Sequence, residues 1–596
     1  MKHYIKITIA FYCIFYSISG FSQGVAIGQW RDELPYNNCI SVTEGNNIVY
    51  CATQYAVFSY NTNDNSIERI TKVNKLSDIG VSCIKFQSAL NVLVVCYSNG
   101  NIDLEGSNST TNISDIKNST FPGNKSINNI LIIGNTAYLS CGFGIIVLDL
   151  LSQEIEDTYY IGPNGAQINV YDLTTDGANL YAATQTGIFS ASLSSPDLSD
   201  YQYWSQDTVI PHPNSEYNHI IFFNNKLIAN LTINAFNKDT LFIKSNGNWH
   251  YFDSIYSINK FALHVFNNQL AIVNEYDVSI FDTTLTLLQK IWTYNPGNPN
   301  PRDVSIDQNN VLWIADQQLG LVKNWNTFNS SSIQPNGPST PNVINMSVAG
   351  SNLWVAPGGL TSNWNNAYNR DGVFSFANGT WTTYNSSNLP IFDSVYDVVR
   401  VCVNPANPSE TFVGTWSYGL MKFENNKFST LYNESNSTLM SNGSSGPNYR
   451  LRIGGMCFDA AGDMWVTNSG VNTVLNVRKT DTTWKSFDLS GYVSVNQAEA
   501  DMVIDQSNQI WMVLPRGKGL LVYNYNGTID NTSDDKITTL SNATGNGALS
   551  SNNVYSIAVD STGEIWVGTD AGISVFYNPG NVFVSGSNFD SQQILV

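Results

Sequence analysis

Few residues in this chain could do chemistry, and their spacing narrows what that chemistry is. Beyond His3 the only histidines are His212, His219, His250 and His264, and no His-x-x-x-His or Glu-x-x-His pair among them suits zinc. His212 and His219 could share a pocket, although surface or turn positions suit them as well. Once the segment 1–23 is set aside there is no Gly-x-Ser-x-Gly elbow and no phosphate-binding glycine loop. Carboxylates are plentiful, as in any acidic chain, and none stands out as a glycosidase pair. These residue types predict no enzyme, no metal site and no cofactor. What remains is a group of aromatics and cations: Trp416 and Tyr418, Arg450 and Arg452, Arg516 and Lys518. On a chain with 28 Lys and Arg against 47 Asp and Glu, that cluster would suit an anionic polysaccharide, through charge-assisted hydrogen bonds and ring stacking. Alternatively, Trp416 packs between structural repeats and the cations only solvate a rim. An Asn-rich insertion with Trp364, Tyr368 and Arg370 belongs to the same group of loops.

These residues are positioned by a repeat. Four segments nearly superimpose, starting at Val304, Met456, Met502 and Ile557; each has an Asp three residues on and a Trp six residues after that Asp. The same strand–turn–strand pattern recurs twelve times. The second strands open near Ile48, Leu93, Ala137, Leu180, Leu227, Leu270, Leu312, Leu353, Phe412, Met464, Ile510 and Ile565. A period of about 40 to 50 residues built from short strands predicts β-propeller blades. Asp307, Asp459, Asp505 and Asp560 should bond the amides of their own turns rather than hold calcium. Trp313, Trp465, Trp511 and Trp566 should pack one blade on the next.

Twelve blades exceed one ring of the usual four to eight. The expected fold is therefore all-β, with two propellers of four-stranded blades. The Pro/Asn/Gly-rich stretch from Gln334 to Asn342 divides them into 24–333 and 334–596. Two seven-bladed rings would need fourteen blades, which makes the second ring incomplete at its C-terminus. Alternatively the rings are nested, and late blades complete the first. Ile27–Leu34 reads as a stray outer strand; its contact with Leu321–Trp325 would favour the tandem order.

Residues 1–23 follow the order of an export signal: Lys2 and Lys6, the apolar run Ile7–Ile18, then small residues. That run is shorter than a membrane span. Removing residues 1–23, with Lys2 and Lys6, changes the net charge from -19 to -21, which excludes a nucleic-acid binder held by phosphate neutralisation. With 12% aromatic and only 13% charged residues, the chain is not a disordered acidic one. Seven cysteines remain. Cys51, Cys96 and Cys141 read as equivalent small strand residues, and Cys39/Cys51 and Cys83/Cys96 flank hairpins. Buried thiols are the expectation, with cross-strand bridges the alternative.

The N-terminal third resembles a known family. The run Ile27-Gly-Gln-Trp-Arg-Asp-Glu-Leu-Pro-Tyr-Asn-Asn is followed by Val49-Tyr-Cys-Ala-Thr, Leu76-Ser-Asp, Tyr97-Ser-Asn-Gly-Asn-Ile-Asp, Phe143-Gly-Ile-Ile-Val-Leu-Asp and Asp157-Thr-Tyr-Tyr-Ile-Gly. In order and density, from about residue 27 to 204, they are similar to PorZ-type components of the type IX secretion system. Lys75 departs from the glycine usual before Leu-Ser-Asp. The resemblance implies two seven-bladed propellers and a C-terminal sorting sandwich, which this sequence lacks. It implies a non-catalytic protein exported to the outer-membrane cell surface, working with the sortase PorU, PorV and PorQ. There it would bind anionic lipopolysaccharide and present it for attachment to secreted cargo. Later repeats are similar to two-component-regulator propellers, so the rival reading is the periplasmic glycan-sensing region of a hybrid two-component regulator.

Overall fold

Within each repeat, apolar side chains set the role of each strand. The second strand is buried on both faces, as in Val92–Tyr97 and Gln509–Val513. The first strand alternates, and the fourth is mostly exposed, as in Ile67–Ile70. A computed structural model describes residues 30–594 apart from 108, 233–238, 254–257, 295–296, 444–449 and 496. The signal-like segment 1–23 lies outside the described residues. Among those described, the repeats form twelve four-stranded antiparallel sheets, here blades 1 to 12, with strands in simple up-and-down order. Every second strand begins within two residues of its expected position. No helix among the described residues is long and apolar enough to cross a membrane.

The chain divides into two compact units between Gly337 and Pro338. The first holds blades 1 to 7. Each inner strand packs on the next, and Cys39–Gly45 of blade 1 packs on Pro301–Ile306 of blade 7, closing the ring. The seam is a core of Tyr36, Val42, Phe58, Trp313 and Leu321. The expected outer strand at Ile27–Leu34 is absent over its described part: Trp30–Asn38 is irregular. Pro35 offers no ladder N–H there, and the segment docks through Tyr36 and a bond from the Gly320 N–H to the Asn37 carbonyl (2.9 Å).

The second unit holds blades 8 to 12, packed in sequence along inner strands Asn345–Ala349, Val398–Val403, Arg452–Phe458, Met502–Ile504 and Val554–Val559. Tyr555, Val559 and Trp566 are exposed on blade 12, and Met346 and Val348 on blade 8.

The Asp–Trp spacing has a geometric cause. In blade 10, Asp459 Oδ1 accepts the N–H groups of Ala461 (3.0 Å) and Asp463 (2.9 Å), while Oδ2 accepts the Trp465 indole N–H (2.9 Å). Asp307 with Trp313, Asp505 with Trp511 and Asp560 with Trp566 repeat the arrangement. Both carboxylate oxygens thus serve the turn, and the indole faces the next blade. Trp313, Trp465 and Trp511 are 0% exposed, whereas Trp566 is 36% exposed.

Inner strands also present edge N–H groups that need partners. The preceding blade supplies them: Val401 and Val403 donate to Asn345 Oδ1 and Ser347 Oγ (both 2.9 Å), and Ile220 and Phe222 to Asp172 Oδ2 and Thr174 Oγ1 (3.1 and 3.0 Å). Asp303 does this at the seam, accepting the Val42 N–H (2.9 Å) and the Ser41 hydroxyl (3.0 Å) while its other oxygen meets His264 Nε2 at 2.5 Å.

The seven cysteines are free thiols. Cys51, Cys96 and Cys141 are not equivalent. They pair with Val42, Cys83 and Ile127, at three successive register positions beside an inner-strand bulge.

Candidate functional site: the rim of the second unit

Loops joining strands two and three emerge on the same face as loops entering the next blade. In the second unit, six of these connections meet around a polar cavity of about 150 Å³, whose side chains include Trp364, Trp416, Asn442, Arg452, Gln497 and Arg516. A larger channel of about 900 Å³ shares Trp364 and Arg516 and adds Asn345, Arg400, Asp501 and Tyr555 from inner-strand positions.

The blade 8 insertion is tied down by Asp397 and Trp416. Asp397, 0% exposed, accepts the Asn369 N–H (2.7 Å) and the Asn366 side-chain amide (2.9 Å). Its burial pushes the carboxyl above its ordinary range. The Trp416 indole donates to the Trp364 carbonyl (3.1 Å), and the Asn366 amide to the Trp416 carbonyl (3.0 Å). Trp364, Tyr368, Asp397, Arg450 and Arg516 all have φ between +54° and +62°, a conformation that costs a bulky side chain energy. Five such residues on one rim mark a backbone held by its surroundings.

Arg452 opens the inner strand of blade 10 and holds its guanidinium 5.4 Å from the Trp416 ring centroid. Next to it, Gly454 and Gly455 let the strand press against the following connection. A Cβ on Gly454 would lie 1.9 Å from the Glu499 carbonyl oxygen, and one on Gly455 2.3 Å from that of Ala500. This approach buries Glu499, whose main chain is clasped by Ser469 Oγ (2.7 and 2.8 Å). Glu499 Oε2 accepts the Gly470 N–H at 3.3 Å; Oε1 has no hydrogen-bond partner. Burial pushes this carboxyl up to about 8, against the lowering effect of the Gly470 N–H, Ser469 and Arg516. The folded state therefore favours neutral Glu499. Stability is greatest below the ordinary carboxyl value and falls as pH rises from there to about 8.

Of the six residues expected at the site, Trp416, Arg452 and Arg516 line the cavity. Trp416 is fully buried beneath Arg452, so it forms a wall and not an open stacking surface. Tyr418 stands apart, edge-on to Tyr396 at 6.0 Å, in a row with Tyr368 and Arg370. Arg450 and Lys518 are exposed outside the cavity wall. The sequence reading missed Asn442, Gln497 and Glu499. The only signal for Glu499 was an acid flanked by alanines between two repeats.

A closed seven-bladed ring followed by a second bladed unit defines a β-propeller protein. Residues 49–205 match the N-terminal β-propeller domain of PorZ of the type IX secretion system, and 548–571 match the two-component-regulator propeller repeat. PorZ of Porphyromonas gingivalis, described as an essential bacterial surface component of that system, is similar in structure. Its TM-score is 0.80 at 22% identity, covering 95% of this chain and 75% of that one. The extracellular domain of a hybrid two-component system from B. thetaiotaomicron matches at TM-score 0.37 and 16% identity, covering 96% of this chain and 78% of that one. No curated protein sequence matches the chain. The chain is PorZ-like, with a two-component-regulator propeller repeat.

Proposed function

We propose that this chain is a non-catalytic cell-surface component of the type IX secretion system whose second-unit rim binds anionic lipopolysaccharide. In this reading it hands the lipopolysaccharide to the sortase PorU, working beside PorV and PorQ, for attachment to secreted cargo. The observation that carries the ligand class is the meeting of Arg452 and Arg516 with side-chain amides in one polar cavity on a strongly acidic protein. Guanidinium forks suit carboxylate and phosphate groups, and amides suit sugar hydroxyls. The larger channel would hold neighbouring sugars. The Tyr418–Tyr396 row offers apolar faces on the same rim.

Changing Arg450, Arg452, Arg516 and Lys518 together to Ser is expected to weaken lipopolysaccharide pull-down at least tenfold. Arg452→Ser with Arg516→Ser should account for most of the loss, because only these two face the cavity. Pull-down equal to wild type would sink the reading.

A further inference from the structure

We propose that the rim cavity takes up its anionic group together with a proton held on Glu499. This deepens the reading of the cavity as an anion site and rests on it. Ser469, Gly470 and Ala498 line the cavity, and Glu499 lies directly behind them, bonded to Gly470 and clasped by Ser469. It is 0% exposed, and Oε1 has no hydrogen-bond partner. Arg516 and Arg452 are the cations that line the cavity; Asp501, two residues beyond Glu499, faces Arg400 at 3.8 Å.

If Glu499 were ionised, its charge would offset one guanidinium and repel an incoming anion through a poorly screened wall. When neutral, it no longer opposes an anion in the cavity. Anion and proton therefore assist one another, and the linkage is reciprocal: a bound anion must hold the proton on Glu499 more tightly. Because the carboxyl is already pushed up to about 8, the exchange falls in an accessible range. The second unit has no histidine to compete in that range. Burial lifts Cys402 to about 12 and Cys457 well above the ordinary thiol value, so neither thiol competes there.

The test is calorimetric titration of the intact chain with sulfate and with trigalacturonate, both fully ionised throughout, near pH 6.5 and pH 9, in buffers of different protonation enthalpy. Expected are binding about tenfold weaker at the higher pH and net proton uptake on binding near pH 8. Glu499→Gln should bind equally at both values and take up no proton. Binding that is independent of pH, without proton uptake, overturns the coupling but leaves the anion site standing. No binding of either probe at either pH overturns both. Should Glu499→Gln fail to fold, proton uptake by the wild-type chain decides alone: uptake supports the proposal and its absence overturns it.

Discussion

Replacing Trp465 by alanine is expected to destabilise the second unit by about 3–5 kcal/mol, whereas Trp566→Ala should cost about 1 kcal/mol. The two tryptophans occupy the same place in their blades and make the same indole bond, to Asp459 and to Asp560. They differ in what covers them. Trp465 packs on Phe487 (5.4 Å) and Tyr525 (4.8 Å) and is 0% exposed, so its removal leaves a large cavity and strands part of the Asp459 carboxylate. Trp566 is 36% exposed and loses little on truncation. Urea denaturation followed by circular dichroism measures both. Equal losses would mean that blade packing is not what the tryptophans supply.

Asp303→Ala is expected to cost the first unit about 3 kcal/mol and to loosen its seam. The change leaves the Val42 N–H, the Ser41 hydroxyl and His264 without their shared acceptor. Burial alone would raise the Asp303 carboxyl. The facing His264, the Val42 N–H and Lys85 outweigh it, so the carboxyl ionises below its ordinary value. A lowered folded value means the contribution is complete above the ordinary value of 3.8 and is lost as pH falls through the lowered one. Wild type should therefore lose stability on acidification more steeply than Asp303→Ala. Hydrogen exchange at Val42 should rise in the variant; unchanged exchange there would show that the seam is held by its apolar core alone.

How much of this was legible in the sequence follows from how local each feature is. The Asp and Trp six residues apart are set within one turn and one strand, so four near-identical segments reveal both the blade and its packing face. Gathering Trp416, Arg452 and Arg516 needed only the rule that certain loops share a face. Sorting them needed more. Whether a loop aromatic lies buried, as Trp416 does, or half-open, as Tyr418 does, depends on the insertion that folds over it. Glu499 is buried by the close approach of Gly454 and Gly455, a contact between an inner strand and the connection after it with no periodic signature. The cysteine positions were misread because the second strands begin at Ile48, Val92 and Thr136, which puts the three cysteines at the fourth, fifth and sixth strand positions, a one-residue drift that approximate repeat spacing does not resolve.

The most direct test of a role in type IX secretion is the fate of cargo in a strain lacking this gene. Cargo proteins are expected to reach the surface without attached lipopolysaccharide or to accumulate inside. The wild-type gene should restore attachment, and the Arg452→Ser, Arg516→Ser form should restore it poorly. Normally modified cargo on the surface of the deletion strain would contradict the assignment.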